Sequence, residues 1–445
     1  MNTPLLSFPL LALPLLLAAC GGPGEPEPVT PPTCSRFVSA AALRVSSVSP
    51  SAVRAPDWTA ARMPGRVLIL EDHTRLVAQN LRVLSTIRTQ RISPNLTLAV
   101  TPAGQGDQAF ASTLSAAGLR VQPDFVYSSL ALPNDPGFPG NKGIAVQNVT
   151  LTQTYLTRVN AAGAWNHLES CGAAPVGALT AVLDSGADAT HVDLKDRLLP
   201  GQSFVDTPAN TDELGHGTGV AGLIGAATNN AVGLAGMTWS GRTVLPIKVL
   251  DAAGNTSTSD LTQGLNAAVA QRVKVINMSL GIPGDPGDAA LDTALNAAAQ
   301  TAVLVAAAGN TRGEGVYYPA SNPNVIAVGA VGSSDTQLAC YSARPNDTLT
   351  RRLDLVAPGG AGVDVCDDAQ AGQDHLVLAP NNRYTTTAGT SEAAPLVSGV
   401  VALMRAANPD LTAPQTRALL LSSARVSGGL PLLDANAAVR AVLRK

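Results

Sequence analysis

From about residue 134 onward, short apolar runs alternate with longer stretches whose apolar positions recur at helical spacing. The runs 178–183, 244–249, 273–278, 302–307, 325–331 and 353–356 read as strands, and 260–271 and 288–300 as helices between them. The runs are apolar on both faces rather than alternating, as in a parallel sheet covered on both sides by helices. The predicted fold for 134–445 is therefore α/β, a doubly wound parallel sheet. Its working residues belong just beyond the carboxyl ends of the strands. One later run, 393–406, is apolar almost all the way round and reads as a buried helix. Residues 64–132 have a different rhythm. A strand at 66–70, a helix at 73–88, an alternating strand at 95–101, a helix at 108–117 and further strand within 119–130 make a small α+β module of βαββαβ type.

Composition narrows the class. The chain has 445 residues, 45% hydrophobic and 14% charged, with 41 glycines and 32 prolines, which excludes a disordered or coiled-coil protein and suits a loop-rich α/β one. A net charge of −3 without a basic block points away from a nucleic-acid partner. The apolar run 5–19 is too short to cross a bilayer as a helix. It ends in Leu17-Ala18-Ala19-Cys20 and two glycines, which resembles a bacterial lipoprotein signal in which Cys20 becomes the lipidated first residue. The segment before it lacks the Lys or Arg that a signal normally carries, and an ordinary secretory signal with an incidental Cys20 is the alternative. Either way 1–20 is a signal, and 21–63, rich in Pro, Ser, Thr and Ala, is a tether. The expected location is the cell envelope, by a lipid anchor, or the extracellular space. Cys34, Cys171, Cys340 and Cys366 show no metal-type spacing, and in an exported chain they suit two disulfides with three possible pairings. Cys340 with Cys366 is preferred, because both lie late in the α/β region.

Four motifs carry chemistry. Ala181-Val182-Leu183-Asp184-Ser185-Gly186 is a strand ending in a carboxylate that can orient an imidazole, although Asp before Gly is also common turn chemistry. Gly215-His216-Gly217-Thr218-Gly219 sets a histidine at the start of a small-residue helix, where it could equally be structural. The other four histidines form no metal-binding motif with it. Ala306-Ala307-Ala308-Gly309-Asn310 ends a strand in an amide that can donate to an oxyanion or simply make a turn. Gly389-Thr390-Ser391-Glu392-Ala393-Ala394-Pro395 puts a hydroxyl at the mouth of the buried helix, among converging N–H groups, although Ser and Thr also cap ordinary helices.

In the order Asp184, His216, Asn310, Ser391 these motifs resemble the subtilisin-like serine proteases (subtilases), over roughly 134–425. The resemblance implies Ser391 as nucleophile, His216 as general base and then acid, Asp184 as orienting carboxylate and Asn310 as oxyanion donor. It implies that Ser279, Leu280 and Gly281 pair with the substrate backbone and, with Ala308 and Gly309, line the primary specificity pocket. It further implies a calcium site from Asp135, Asp193 and Asn230 with carbonyls of 228, 232 and 234, residues that could also be ordinary Asx turns. A long segment between Asn134 and Trp165 leaves the reach of Asp135 open. The module 64–132 takes the place of a propeptide that chaperones and inhibits its own enzyme, with self-cleavage near Leu132 or Pro133 and its last strand in the substrate groove until then. Periodicity alone does not separate that role from an accessory domain. The chain departs from the family pattern at Glu392, often apolar, at Leu396, often His, and at Gly219, where a second His is common. Glu392 is expected to raise the pKa of His216. The reading is a monomeric serine endopeptidase acting on proteins and peptides and made as a zymogen. The rivals are a catalytically silent envelope protein that binds peptides and a nucleotide-binding α/β protein, the latter lacking any Gly-rich phosphate loop after a strand.

Overall fold

The computed structural model describes residues 56, 58, 62–71, 87–125, 132–367 and 369–443. The signal with Cys20, the tether with Cys34, nearly all of the predicted helix 73–88 and the stretch 126–131 lie outside the described residues.

The N-terminal module consists of β1 (Arg62–Ile69), β2 (Thr89–Ser93), β3 (Leu96–Val100), α1 (Asp107–Ala116) and β4 (Val121–Phe125). Its sheet is antiparallel in the order β2-β3-β1-β4. Val67, Ile69 and Ala99 point to one face and meet Phe110, Ala111 and Leu114 of α1, a small core of its own. β2 was not read from the sequence. Every residue of Thr-Gln-Arg-Ile-Ser is exposed, so it carries no apolar alternation to detect.

The larger region begins with a hairpin, β5 (Ile144–Val146) and β6 (Val149–Leu151), and the helices α2 (Thr154–Arg158) and α3 (Ala161–Ser170). Then come β7 (Thr180–Asp184), β8 (Gln202–Ser203), α4 (His216–Gly225), β9 (Val244–Lys248), α5 (Thr258–Ala270), β10 (Val275–Met278), α6 (Ala289–Ala298), β11 (Val303–Ala307), β12 (Val325–Val331) and β13 (Leu355–Pro358). A hairpin, β14 (His375–Ala379) and β15 (Arg383–Thr387), precedes α7 (Thr390–Ala407), α8 (Ala413–Ser423), β16 (Arg425–Ser427), β17 (Leu430–Leu432) and α9 (Ala435–Val442).

Nine strands form one sheet in the order β16-β17-β13-β12-β11-β10-β7-β9-β8, parallel throughout except for β16. Both faces are covered, as the unbroken apolar runs required. Val275, Val303, Val305, Ile326 and Val328 face a layer built on α7, whereas Ile276, Leu304, Ala306 and Ala327 face α5 and α6. Every residue of α7 except Ser391 and Ala406 is buried. A disulfide joins Cys340 to Cys366 with an S–S distance of 1.97 Å, as preferred from sequence. Cys171 is disulfide-bonded as well.

Because β7, β10 and β11 run parallel and side by side, Asp184, Ser279 and Ala308 emerge at one edge of the sheet. The N-termini of α4 and α7, which pack on each other, meet them there.

Candidate active site

Asp184 is the last residue of β7 and is fully buried. Its Oδ1 lies 2.7 Å from Nδ1 of His216, the first residue of α4. Oδ1 also accepts the Ser185 N–H at 2.8 Å. With a carboxylate facing it, Nδ1 carries the proton and Nε2 keeps the basic lone pair. No side chain fits at Gly217, because a Cβ would strike the carbonyl oxygen of Gly186, so glycine is what lets α4 lie this close to β7. Burial disfavours the charged ring, but the Asp184 carboxylate, followed by Glu392 and Asp212, outweighs it and pushes His216 up to about 9. Glu392 is buried too, and burial pushes its carboxyl up to about 7 against the pull of His216 and a hydrogen bond from Thr387.

Ser391 is the second residue of α7. Pro395 lies one helical turn later and has no N–H, so the Ser391 carbonyl has no helical partner and instead accepts the Ser279 hydroxyl at 2.9 Å. Behind it runs a buried relay. Asn277 Nδ2 donates to Ser279 Oγ at 3.0 Å, and Ser398 Oγ donates to Asn277 Oδ1 at 2.8 Å. This relay ties the first turn of α7 to the end of β10. The Ser391 hydroxyl itself donates to the Ser279 carbonyl at 3.2 Å rather than to His216.

Asn310 Oδ1 accepts both the backbone N–H and the hydroxyl of Thr390 at 2.9 Å, which leaves its Nδ2 as the donor available beside Ser391. Thr390 Oγ1 in turn accepts the Gly309 N–H at 3.0 Å.

Two groups of residues escaped the sequence reading. Asp212 accepts the Ser185 hydroxyl at 2.8 Å, the Gly215 N–H at 2.8 Å, the Thr218 N–H at 2.7 Å and the Thr218 hydroxyl at 2.6 Å. It thus pins the first turn of α4, where a carboxylate also suits the helix dipole, and with it His216. Asp212 lies three residues before the N-cap Gly215, outside the position a cap takes, so no sequence pattern flagged it. The other group is Thr390 with Asn277 and Ser398, whose partners are far off in sequence.

Leu280, Gly281 and Ile282 line a cavity of about 310 Å³ with Leu250, Leu261 and Tyr318, and Ile282 bridges Tyr318 antiparallel. Ala308 and Gly309 are not among the residues that line this cavity.

Of the expected calcium residues, Asp135 and Asp193 are fully buried. Asp135 does reach the loop. Its carboxylate accepts the N–H of Asn229 at 2.7 Å and of Asn230 at 3.1 Å. Asp193 accepts the Leu234 N–H at 2.9 Å and lies 3.5 Å from Asn230 Nδ2. Gly233 is at φ +45°, and a Cβ there would strike the Asp193 carboxylate. Burial pushes Asp193 up to about 6, and Asp135 adds to the rise. Among the described residues, no group of three His, Cys, Asp or Glu side chains is placed to hold a metal ion, so the acidic share here is two carboxylates.

A mostly parallel sheet covered on both faces, with Asp184, His216 and Ser391 carried in that chain order at its carboxyl edge, is of the subtilisin-like class of α/β folds. A model described as the subtilase family (Peptidase_S8) matches residues 176–441. The chain is similar to a thermophilic serine proteinase of Bacillus sp. strain AK1, 35% identical over 286 residues, 64% of this chain and 62% of that one. It is also similar to subtilisin E of Bacillus subtilis strain 168, 39% identical over 255 residues, 56% of this chain and 60% of that one. Among solved structures, a protease from Pseudoalteromonas arctica PAMC 21717 matches at a TM-score of 0.56 and 29% identity, over 70% of this chain and all of that one. The chain belongs to the subtilase family. It spans about 60% of the length of both of these curated relatives.

Proposed function

We propose that this chain is a serine-type endopeptidase that hydrolyses peptide bonds of proteins with Asp184, His216 and Ser391. The observation that carries the reading is the 2.7 Å contact of buried Asp184 with His216 at the sheet edge where α7 presents Ser391. In the proposed reaction Ser391 attacks the peptide carbonyl and His216 Nε2 takes its proton. His216 then returns the proton to the leaving amine, and water repeats the sequence to release the acid. Asn310 Nδ2 and the Ser391 N–H stabilise the oxyanion. Ser279–Gly281 holds the acyl side of the substrate as an added strand. Labelling with a fluorophosphonate tests this. Wild type takes up one label at Ser391, while Ser391→Ala and His216→Ala take up none. A label elsewhere, or one that survives in Ser391→Ala, contradicts it.

The module 64–132 is proposed as a propeptide removed near Leu132 or Pro133. The support is that it has its own core and directly precedes the larger region. Residues 1–20 are proposed as an export signal with Cys20 lipidated, giving a protein at the envelope or outside the cell, acting as a monomer. Among the described residues no helix is long and apolar enough to cross a membrane.

Calcium is proposed as a structural ion held by Asp135, Asp193 and Asn230. The residues fit the ion. Two fully buried carboxylates in one loop system, one pushed up by burial and by the other, lack a cation among the described residues, and Ca²⁺ prefers such oxygen donors. Once bound, the ion would supply positive charge that neutralises the pair.

A further inference from the structure

The leaving side of the substrate meets a different wall from the acyl side. Beside His216 is a second cavity of about 530 Å³, walled by the start of α4, by the β14–β15 hairpin and by Glu392. None of Ser279–Gly281 takes part in it. His216 must hand its proton to the leaving amine, so the residue that owns this amine has to lie against the imidazole. The cavity containing His216 but not the acyl-side strand is where its side chain goes.

The chemistry of that cavity is unusual in one group. Glu392 is only 4% exposed, and its carboxyl oxygen Oε1 accepts the Thr387 hydroxyl at 3.3 Å. No Lys or Arg forms an ion pair with it among the described residues. The groups whose charge it feels are His216 and Asp184, and it acts in turn on the buried Tyr341 hydroxyl, which donates to the Gly359 and Gly360 carbonyls. Arg383 also contributes to the wall, but it is exposed and its Nε donates to the Pro380 carbonyl. The rest of the hairpin wall is threonine and apolar, as at Thr385, Thr386, Thr387 and Leu378, apart from Tyr384, whose hydroxyl faces Asp193. In the active form, with His216 neutral, a buried carboxylate with no Lys or Arg beside it is costly, and a cation brought by the substrate removes that cost.

We propose that Glu392 is a specificity-determining residue that selects Lys or Arg as the first residue on the leaving side of the cleaved bond. The inference rests on the endopeptidase reading. The cationic side chain enters the cavity beside His216 and pairs with Glu392. An acidic residue there is rejected by the same charge.

The test uses internally quenched peptides identical except for the residue after the cleaved bond, which is Lys, Arg, Ala, Leu or Glu, with the cut position verified by mass. Wild type is expected to show kcat/KM for Lys and Arg about tenfold above Ala, as one desolvated charge pair provides, with Glu lowest. The Lys-to-Ala ratio collapses toward one in Glu392→Gln and is partly kept in Glu392→Asp. No variant is needed for a second reading. In wild type the ratio increases with pH as Glu392, whose carboxyl burial pushes up to about 7, ionises. A ratio near one in wild type, or one that Glu392→Gln leaves intact, overturns the proposal. Wild type that cuts none of the peptides, nor casein, overturns the endopeptidase reading instead.

Discussion

At His216 three carboxylates act on one imidazole. Asp184 touches it, and Glu392 and Asp212 reach it through the protein. All three favour the charged ring against burial, so the basic form appears only as pH passes through a raised pKa of about 9. The expected profile of kcat/KM against pH therefore climbs on the alkaline side of an ordinary histidine, and Glu392→Gln moves the climb to lower pH. A climb near 6.5 that the variant leaves in place contradicts this. Asn310 is proposed to act on the other charged centre. Its oxygen is committed to Thr390, so truncation to Ala removes the Nδ2 donor. Asn310→Ala is expected to lower kcat by about 10²–10³ with KM little changed, and a fall in kcat/KM carried wholly by KM rules the role out. Glu392 shows how far sequence reasoning reaches at this scale. Its place after Ser391 and its closeness to His216 were legible. Its buried position, with no Lys or Arg paired to it among the described residues, was not, because the partners that surround it come from the fold.

At the scale of elements, two helix starts do the positioning. The start of α4 is held by Asp212 through three hydrogen bonds, and a fourth ties it to Ser185. Asp212→Ala is expected to cost about 1–2 kcal/mol of stability and to lower kcat, because the turn that carries His216 loses these buried bonds. Equal activity of wild type and variant, with Tm unchanged, contradicts that. The first turn of α7 is held differently, by Pro395 freeing the Ser391 carbonyl for Ser279. The six central strands, β7 and β9 to β13, and the buried helix were legible because their apolar runs admit no solvent face, and the bounds of those strands came within a few residues, whereas the short β8, β16 and β17 and the two hairpins went unread. β2 was not legible, because a fully exposed strand is defined by its pairing with β3 alone. Asp212, Thr390 and the Asn277–Ser398 relay went unread for a related reason. Each acts through a partner that only the fold supplies.

Across the whole molecule the sheet fixes where chemistry happens and the loops at one side set how firmly it is held. Asp135, from the start of the larger region, reaches Asn229 and Asn230 some 95 residues later. A calcium ion bound there would tie distant segments, so chelation is expected to lower Tm, with stabilisation of about 2.7 kcal/mol regained at a hundredfold excess over Kd. Asp193→Asn is expected to blunt that response, and a Tm indifferent to both calcium and chelator removes the ion from the account. The Asp135 contact was open in the sequence because the insertion before Trp165 obscured its reach.

The account as a whole stands on a working Ser391. Intact mass followed over time, for the chain from residue 21 onward with calcium present and beside its Ser391→Ala counterpart, tests this most directly. The account expects wild type to lose the segment ending near Leu132 while the variant stays whole. Identical cutting of both, or no cutting of a folded wild type, contradicts it.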